Sequence, residues 1–363
     1  MKFRCERDRL VEVLAIVSRA VSTRGGALPV LAGIHFELSG STLSLSATDL
    51  DLSIQTSLEV SGTEDGSAVV PAKLFTDIVR ALGEGAVNVA IEDDAQISSG
   101  RSKFSVRTLP ANEFPRLSQA DGASVQISTA VFSEALKQVV RAASSNDDRP
   151  VLTGVLVAAE DSNARLVATD SYRLALRDLP GISLLTSGQK VLVPSKALAE
   201  VQRLAIGETI TVQLAEREAS FIVGETRVST RLIEGEFPNY RQLIPDGYPN
   251  RLTIDRNALL DAVRRVKLLV RDTMTPVRAS LTSTGIELTV ISQEIGQASE
   301  DIEAKYEGND MTVAFNPAYF IDGLEAITSE EVIIETVDAL KPAMIRSSDS
   351  ADFVYLLMPV RVS

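Results

Sequence analysis

Residues 5–21, CERDRLVEVLAIVSRAV, set Leu10, Val13, Leu14 and Val17 at spacings of three and four, which predicts a helix with one buried face. The period then changes to two. GIHFELSGSTLSLSAT and DLSIQTSLEV alternate apolar and polar residues around Gly and Ser turns, as half-buried antiparallel strands do. VVPAKLFTDIVRAL (69–82) carries a strand through a Val-Pro step into a second helix; proline suits a first helical turn, where its missing N–H would have had no partner. NVAIED, QISSG and KFSVRTLP return to strand alternation.

This succession occurs three times. The Val-Pro phrase comes back as VLVPSKALAEVQRLA (191–205) and, more faintly, as AFNPAYFIDGLEAI (314–327), so that Pro71, Pro194 and Pro317 stand 123 residues apart. Phe114–Pro115 returns at Phe237–Pro238, PVLAG (29–33) as PVLTG (150–154) and weakly as PVRAS (276–280), and LSATDLDL (45–52) as LVATDSYRL (166–174). The third copy has LTVISQEIG (288–296), which keeps the strand character and loses the Thr-Asp pair. Amphipathic openers recur at 127–144 and 254–270. A period near 120 residues is domain-sized, well beyond the ~20–50 of solenoid repeats. The pattern predicts an α+β chain of three tandem copies, each with two helices packed on antiparallel sheet, spanning 1–122, 123–250 and 251–363.

Composition narrows the function classes. With 363 residues, 45% hydrophobic and 23% charged, the chain has the makings of a folded globular protein. No run of about 18 apolar residues occurs, and MKFRCERDRL is charged where a signal peptide would be apolar, so the expected location is cytoplasmic. One cysteine, Cys5, excludes an internal disulfide, and one histidine, His35, leaves a histidine-cluster metal site without ligands. His35 falls in the alternating IHFEL and reads as a strand residue. No cofactor and no metal are expected.

A net charge of −13 argues, taken alone, against a protein that grips phosphates. Its distribution changes that. The six helical stretches (5–21, 71–82, 127–144, 194–206, 254–271 and 317–327) together carry +4, leaving −17 on everything else. Helices sharing one face would tolerate a polyanion without clasping it, although solvated lysines and arginines at helical spacing produce the same count.

Catalytic signatures are thin. STRGGALP (22–29) lacks the Gly-Lys-Ser/Thr of a phosphate loop, no Gly-x-Ser-x-Gly elbow occurs, and one histidine makes a triad improbable. Asp49 and Asp170, from the repeated Ala-Thr-Asp, are the best carboxylates for acid–base work, but Asp after Thr at a strand end commonly fixes a turn through backbone N–H groups. A non-catalytic reading leads; a carboxylate-dependent enzyme and a triplicated scaffold without DNA are the alternatives.

The N-terminal MKF, the tandem copies, Ala-Thr-Asp-x-x-Arg-Leu at 168–174, EFPNYRQLIP at 236–245 and the C-terminal LLMPVRVS resemble the bacterial DNA polymerase III beta subunit, the replicative sliding clamps, over essentially the whole chain. The resemblance implies the DNA clamp fold, with two protomers closing head to tail into a ring around duplex DNA without sequence specificity. A homodimer is therefore expected, nucleoid-associated during replication, conferring processivity on the replicative polymerase and recruiting the clamp loader and repair proteins through short linear peptides.

Carried over by position, the resemblance makes Arg24, Lys73, Arg80, Lys137, Arg141, Arg149, Lys196 and Arg203 the DNA-facing candidates. It assigns a peptide-binding pocket to Leu152, Thr169, Ser171, Tyr172, Arg173, Leu174, Pro238, Leu243, Asn316, Tyr319, Leu356, Met358 and Pro359, and the dimer seam to Phe104, Val106, Leu269 and Val270. Apolar seam residues read equally well as domain core. Ser171 and Tyr172 stand where some members have glycine and histidine, and Gln242 where some have arginine.

Overall fold

Among the described residues, six α-helices carry the three copies, two to each: α1 (Arg7–Val17), α2 (Ala72–Ala81), α3 (Thr129–Val139), α4 (Ser195–Leu204), α5 (Arg256–Val266) and α6 (Pro317–Glu325). The structure, a computed structural model, describes residues 1–22, 28–117, 122–160, 163–245, 247–271 and 275–361. Leu10, Val13, Leu14 and Val17 are all buried, as their spacing predicts. On α2, Ala72, Phe75, Thr76 and Val79 turn inward, leaving Lys73 and Arg80 exposed.

The strands, all paired antiparallel, do not stay within their own copies. The chain divides into two compact units, 1–132 with 196–232, and 133–195 with 233–363. In the first unit, an eight-stranded sheet runs from edge to edge through Ser124–Ser128, Thr209–Leu214, Glu218–Val223, Thr226–Arg231, Leu52–Glu59, Thr42–Thr48, Gly33–Ser39 and Gly66–Pro71. Half of it comes from the first copy and half from the middle one, joined by the ladder that pairs Val228 with Ile54. A five-stranded sheet (Ser61–Glu64, Lys2–Glu6, Ala86–Ile91, Asp94–Ser99, Ser102–Arg107) completes this unit.

The second unit repeats the plan. Its nine-stranded sheet runs Lys190–Pro194, Gly154–Glu160, Asn163–Thr169, Arg173–Leu179, Phe353–Leu357, Ala343–Ser347, Glu331–Thr336, Asn250–Asp255 and Lys305–Glu307; the join, Leu174 to Leu356, pairs the middle copy with the third. Four strands (Gly296–Glu303, Gly285–Ser292, Val277–Thr282, Met311–Phe315) form its other sheet. The middle copy is thus divided between the units, where the repeat alone suggests that each copy closes its own sheet.

The repeated phrases turn out to be each other's neighbours. The glycine of PVLAG pairs with the Val-Pro proline, Gly33 with Pro71, and that of PVLTG likewise, Gly154 with Pro194. Both prolines lie on edge strands, where a missing N–H leaves no ladder bond unmade. A Cβ on Gly33 would sit 2.4 Å from Val69 Cγ1, so this strand start has room for glycine alone.

The proline's position also shifts between copies. Pro71 and Pro194 end their strands just before α2 and α4, whereas Pro317 is the first residue of α6. There Asn316 caps the helix, its side chain accepting from the N–H groups of Ala318 and Tyr319 at 2.9 and 3.3 Å. The first-turn placement expected for all three prolines holds only in the third.

Candidate functional site

The Ala-Thr-Asp phrase builds the same turn in both units. Thr48 Oγ1 donates to Leu52 O and accepts from Leu50 N, and Asp49 Oδ1 accepts from the N–H groups of Asp51 and Leu52. Thr169 and Asp170 repeat the set with Arg173 O and with the N–H groups of Ser171, Tyr172 and Arg173. Each turn forces its third residue into the left-handed region, Leu50 at φ 82° and Ser171 at φ 79°, the two non-glycine positive-φ positions among the described residues. Strain held twice at one place is a mark of a built feature. Asp49 and Asp170 are therefore occupied in turn construction.

In the second unit this turn holds an arginine that the first unit lacks. Arg173, 9% exposed, donates from Nε to Asp170 at 3.0 Å, from Nη1 to Asp322 and from Nη2 to the main-chain oxygen of Arg141. Its guanidinium lies 4.3 Å from the centre of the Tyr319 ring, and Tyr319 stacks with Tyr172 at 6.3 Å. Burial opposes the charge on Arg173, but Tyr355, Asp322 and Asp170 outweigh it and raise its pKa. Tyr355 closes the cluster by donating to Tyr319 O at 2.9 Å, and its ring lies where a Cβ on Gly323 would come within 2.6 Å.

The residues named for the pocket separate by burial. Leu152, Thr169, Leu174 and Leu356 are buried, and Leu174 and Leu356 join Leu156, Leu176, Phe237 and Tyr240 in one apolar cluster against which Leu243, Met344 and Val354 pack. Ser171, Tyr172 and Pro238 are exposed, and Leu243, Asn316, Tyr319, Met358 and Pro359 half-buried. Met358 N donates to Tyr172 O at 2.9 Å, which brings the C-terminal strand to the rim. Asn316 spends its side chain on the α6 cap. The sequence reading missed Met344, Val354, Asp322 and Tyr355; strand alternation marks Val354 and Tyr355, but nothing local marks Asp322 as a partner 149 residues from Arg173.

The basic candidates separate into classes. Lys73, Arg80, Lys137 and Lys196 are exposed, and among the described residues none has a carboxylate within 4.0 Å. Arg203 is paired with Glu200, and Arg141 with Glu325 at 2.6 Å and Asp322 at 3.6 Å. Arg149 is drawn to the pocket, donating to Ser171 Oγ, rather than grouped with the helical cations. Arg24 lies outside the described residues. Two arginines of α5 went unnamed although their stretch carries +3: Arg264, bound to Glu325 and Asp261, and Arg265, bound through two nitrogens to Glu300.

The seam candidates divide as well. Phe104, on the outer strand Ser102–Arg107, is 40% exposed. Val106, two residues on along the same strand, pairs with the fully buried Ala95 and is 5% exposed, its side chain packed into the core of its own chain. Leu269 and Val270 are half-buried, and it is Leu268 beside them that is 81% exposed. His35 is a strand residue, stacked on Phe114 at 5.0 Å with its pKa lowered by burial. Among the described residues no cluster of three or more His, Cys, Asp or Glu could hold a metal, and no helix is long and apolar enough to cross a membrane.

Three family models match in order along the chain: the N-terminal domain of the DNA polymerase III beta subunit over residues 1–118, its central domain over 126–239 and its C-terminal domain over 241–361. The beta sliding clamp of Streptomyces coelicolor is 35% identical, with all of both chains covered. Among solved structures, the DNA polymerase sliding clamp of Bacillus subtilis superposes with a TM-score of 0.94 at 30% identity, and so does a sliding clamp of Bartonella birtlesii bound to griselimycin, each over the whole of both chains. From its first residues to its last, in sequence and in fold, the chain belongs to the bacterial DNA polymerase III beta subunit family, the beta sliding clamps.

Proposed function

We infer that the chain is a non-catalytic DNA sliding clamp, a homodimeric ring that encircles duplex DNA, confers processivity on the replicative polymerase and recruits the clamp loader and repair proteins through peptides. The observation that carries this reading is the placement of Lys73, Arg80, Lys137 and Lys196, exposed on three helices and, among the described residues, without a carboxylate within 4.0 Å, in a protein of net charge −13. A few unpaired cations facing a duplex give sequence-independent phosphate contacts weak enough to let the protein slide. Retention then rests on topology. The domains are assigned to 1–122, 123–250 and 251–363, and the location to the cytoplasm, at the nucleoid during replication.

Ring closure is supported by two free sheet edges of opposite charge. The edge strand Ser102–Arg107 carries Lys103 and Arg107, while the edge strand Gly296–Glu303 carries exposed Asp301 and Glu303. Head-to-tail pairing of such edges between two protomers satisfies both rows of unpaired backbone groups, and opposite charges select that pairing over self-pairing. Phe104 and Leu268 supply exposed apolar surface for the seam.

The Leu174–Leu356 cluster under the Tyr172–Tyr319 rim suits short apolar peptides, and griselimycin, bound by the Bartonella relative, is proposed to occupy it. The test is loading onto nicked circular and linear duplex. A clamp held by topology stays on the circle at salt concentrations that strip phosphate contacts and runs off free ends; equal retention on both substrates overturns the ring reading.

A further inference from the structure

We propose that the peptide pocket and the DNA-facing helices are energetically coupled through Asp322, with DNA contact at Arg141 tightening peptide binding. The proposal rests on the pocket and DNA readings above. Arg173, Asp322, Arg141, Glu325 and Arg264, on four elements of the second unit, form one continuous run of ion pairs, with Asp170 and Asp261 attached at its ends. Asp322 Oδ2 holds Arg173 while its Oδ1 lies 3.6 Å from Arg141, and Glu325, one turn along α6, holds Arg141 at 2.6 Å and Arg264 at 2.8 Å. Side-chain exposure rises from Arg173 at 10% through Asp322 at 29% to Arg141 at 49%, with Glu325 at 29% and Arg264 at 49% beyond it.

This gradient gives each end a different role. Arg173 sits within the pocket rim, over Tyr319 and beneath the Tyr172 turn, in surroundings that screen charge poorly. Arg141 stands in the turn Val140–Ala142 that follows α3, open enough for a phosphate to reach. The link is doubled, because Arg173 Nη2 also donates to the main-chain oxygen of Arg141.

The sign follows from the shared carboxylate. A phosphate that takes the Arg141 guanidinium removes one of the two cations on Asp322, and the carboxylate then turns wholly to Arg173. Arg173 is held more firmly against Tyr319, so less ordering remains to be done when a peptide arrives. By reciprocity, a peptide in the pocket strengthens the Arg141–phosphate contact by the same factor. The first unit has no counterpart: Leu52 occupies the place of Arg173, and Arg19, paired with Glu200 at 3.2 Å, has no buried arginine behind that carboxylate.

The measurement uses the full-length dimer and fluorescein-labelled griselimycin, titrated against free clamp and against clamp loaded on nicked circular duplex. Affinity should rise on loading by about fivefold, the lower end of ordinary coupling between sites. The rise should vanish in Arg141→Gln and in Asp322→Asn, return in Asp322→Glu, and persist in Glu335→Gln, which breaks the Arg346–Glu335 pair elsewhere in the same sheet. A purely structural role for Asp322 would lower both affinities and leave their ratio intact, which would overturn the proposal. So would equal affinities on and off DNA in the unmodified protein. Failure of the probe to bind free clamp, or of the clamp to stay on the circle, would overturn the underlying reading and the coupling with it.

Discussion

The two large sheets are the same construction put to different uses. Strand for strand, Gly66–Pro71, Gly33–Ser39, Thr42–Thr48, Leu52–Glu59 and Thr226–Arg231 in the first unit answer Lys190–Pro194, Gly154–Glu160, Asn163–Thr169, Arg173–Leu179 and Phe353–Leu357 in the second, down to the Thr-Asp turn and its positive φ. The side chains just after the turn differ. The first unit has Asp51 and Leu52, and Asp51 there lines a small cleft of about 70 Å³ with Leu50 and largely polar and charged groups such as Thr48, Ser53, Arg116 and Arg231. The second has Tyr172 and Arg173, with Tyr319 of α6 completing an aromatic and cationic rim over an apolar cluster. A shared scaffold fixes where a site can be; a few side chains on it decide whether there is one.

Arg173→Ala should break this difference most severely. It leaves Asp170 and Asp322 without their buried cation, which costs about 3 kcal/mol in thermal unfolding, and it should weaken griselimycin binding by roughly a hundredfold in fluorescence anisotropy. Leu52→Ala at the matching place in the first unit removes a half-buried side chain, costs about 1 kcal/mol and leaves griselimycin binding unchanged. Comparable losses of binding from both substitutions would show that the two sites are not distinct.

The sheet edges give the next effect. Phe104→Asp should yield a soluble monomer in analytical ultracentrifugation with its fold retained, while Val106→Asp buries an unpaired charge and costs several kcal/mol, on the order of 3 or more, in thermal unfolding. If the two variants behave alike, the separation of seam from core fails. Replacing Lys73 and Arg80 by alanine should leave griselimycin binding untouched while lowering the salt slope of duplex binding by about one for each phosphate no longer neutralised.

The smallest effect is one of pH. Glu325 accepts from Arg141 and Arg264, which together lower its pKa from the ordinary 4.5. Its contribution is present in full above 4.5 and disappears as pH falls through the lower folded value. Because the group is partly exposed, Glu325→Gln should flatten the acid limb of the stability profile by less than about 1 kcal/mol.

Local chemistry decided much of this protein by itself. The triplication, the six helices with their buried faces, the alternating strands and the Thr-Asp turn follow from spacing and from residue-level constraints, whereas the meeting of Gly33 with Pro71 and of Gly154 with Pro194 across a ladder came only with the fold. The tertiary structure decided which copies share a sheet, since strand pairing is settled by whole faces packing and a repeat supplies several equivalent partners. It also decided which cations stay free. Lys73 and Lys137 carry the same charge as Arg141, yet only Arg141 meets Asp322 and Glu325, because α6 brings carboxylates from more than 180 residues away to the end of α3. Val106 and Phe104 look alike as alternating apolar residues, and only the depth of the sheet beneath each makes one core and the other surface.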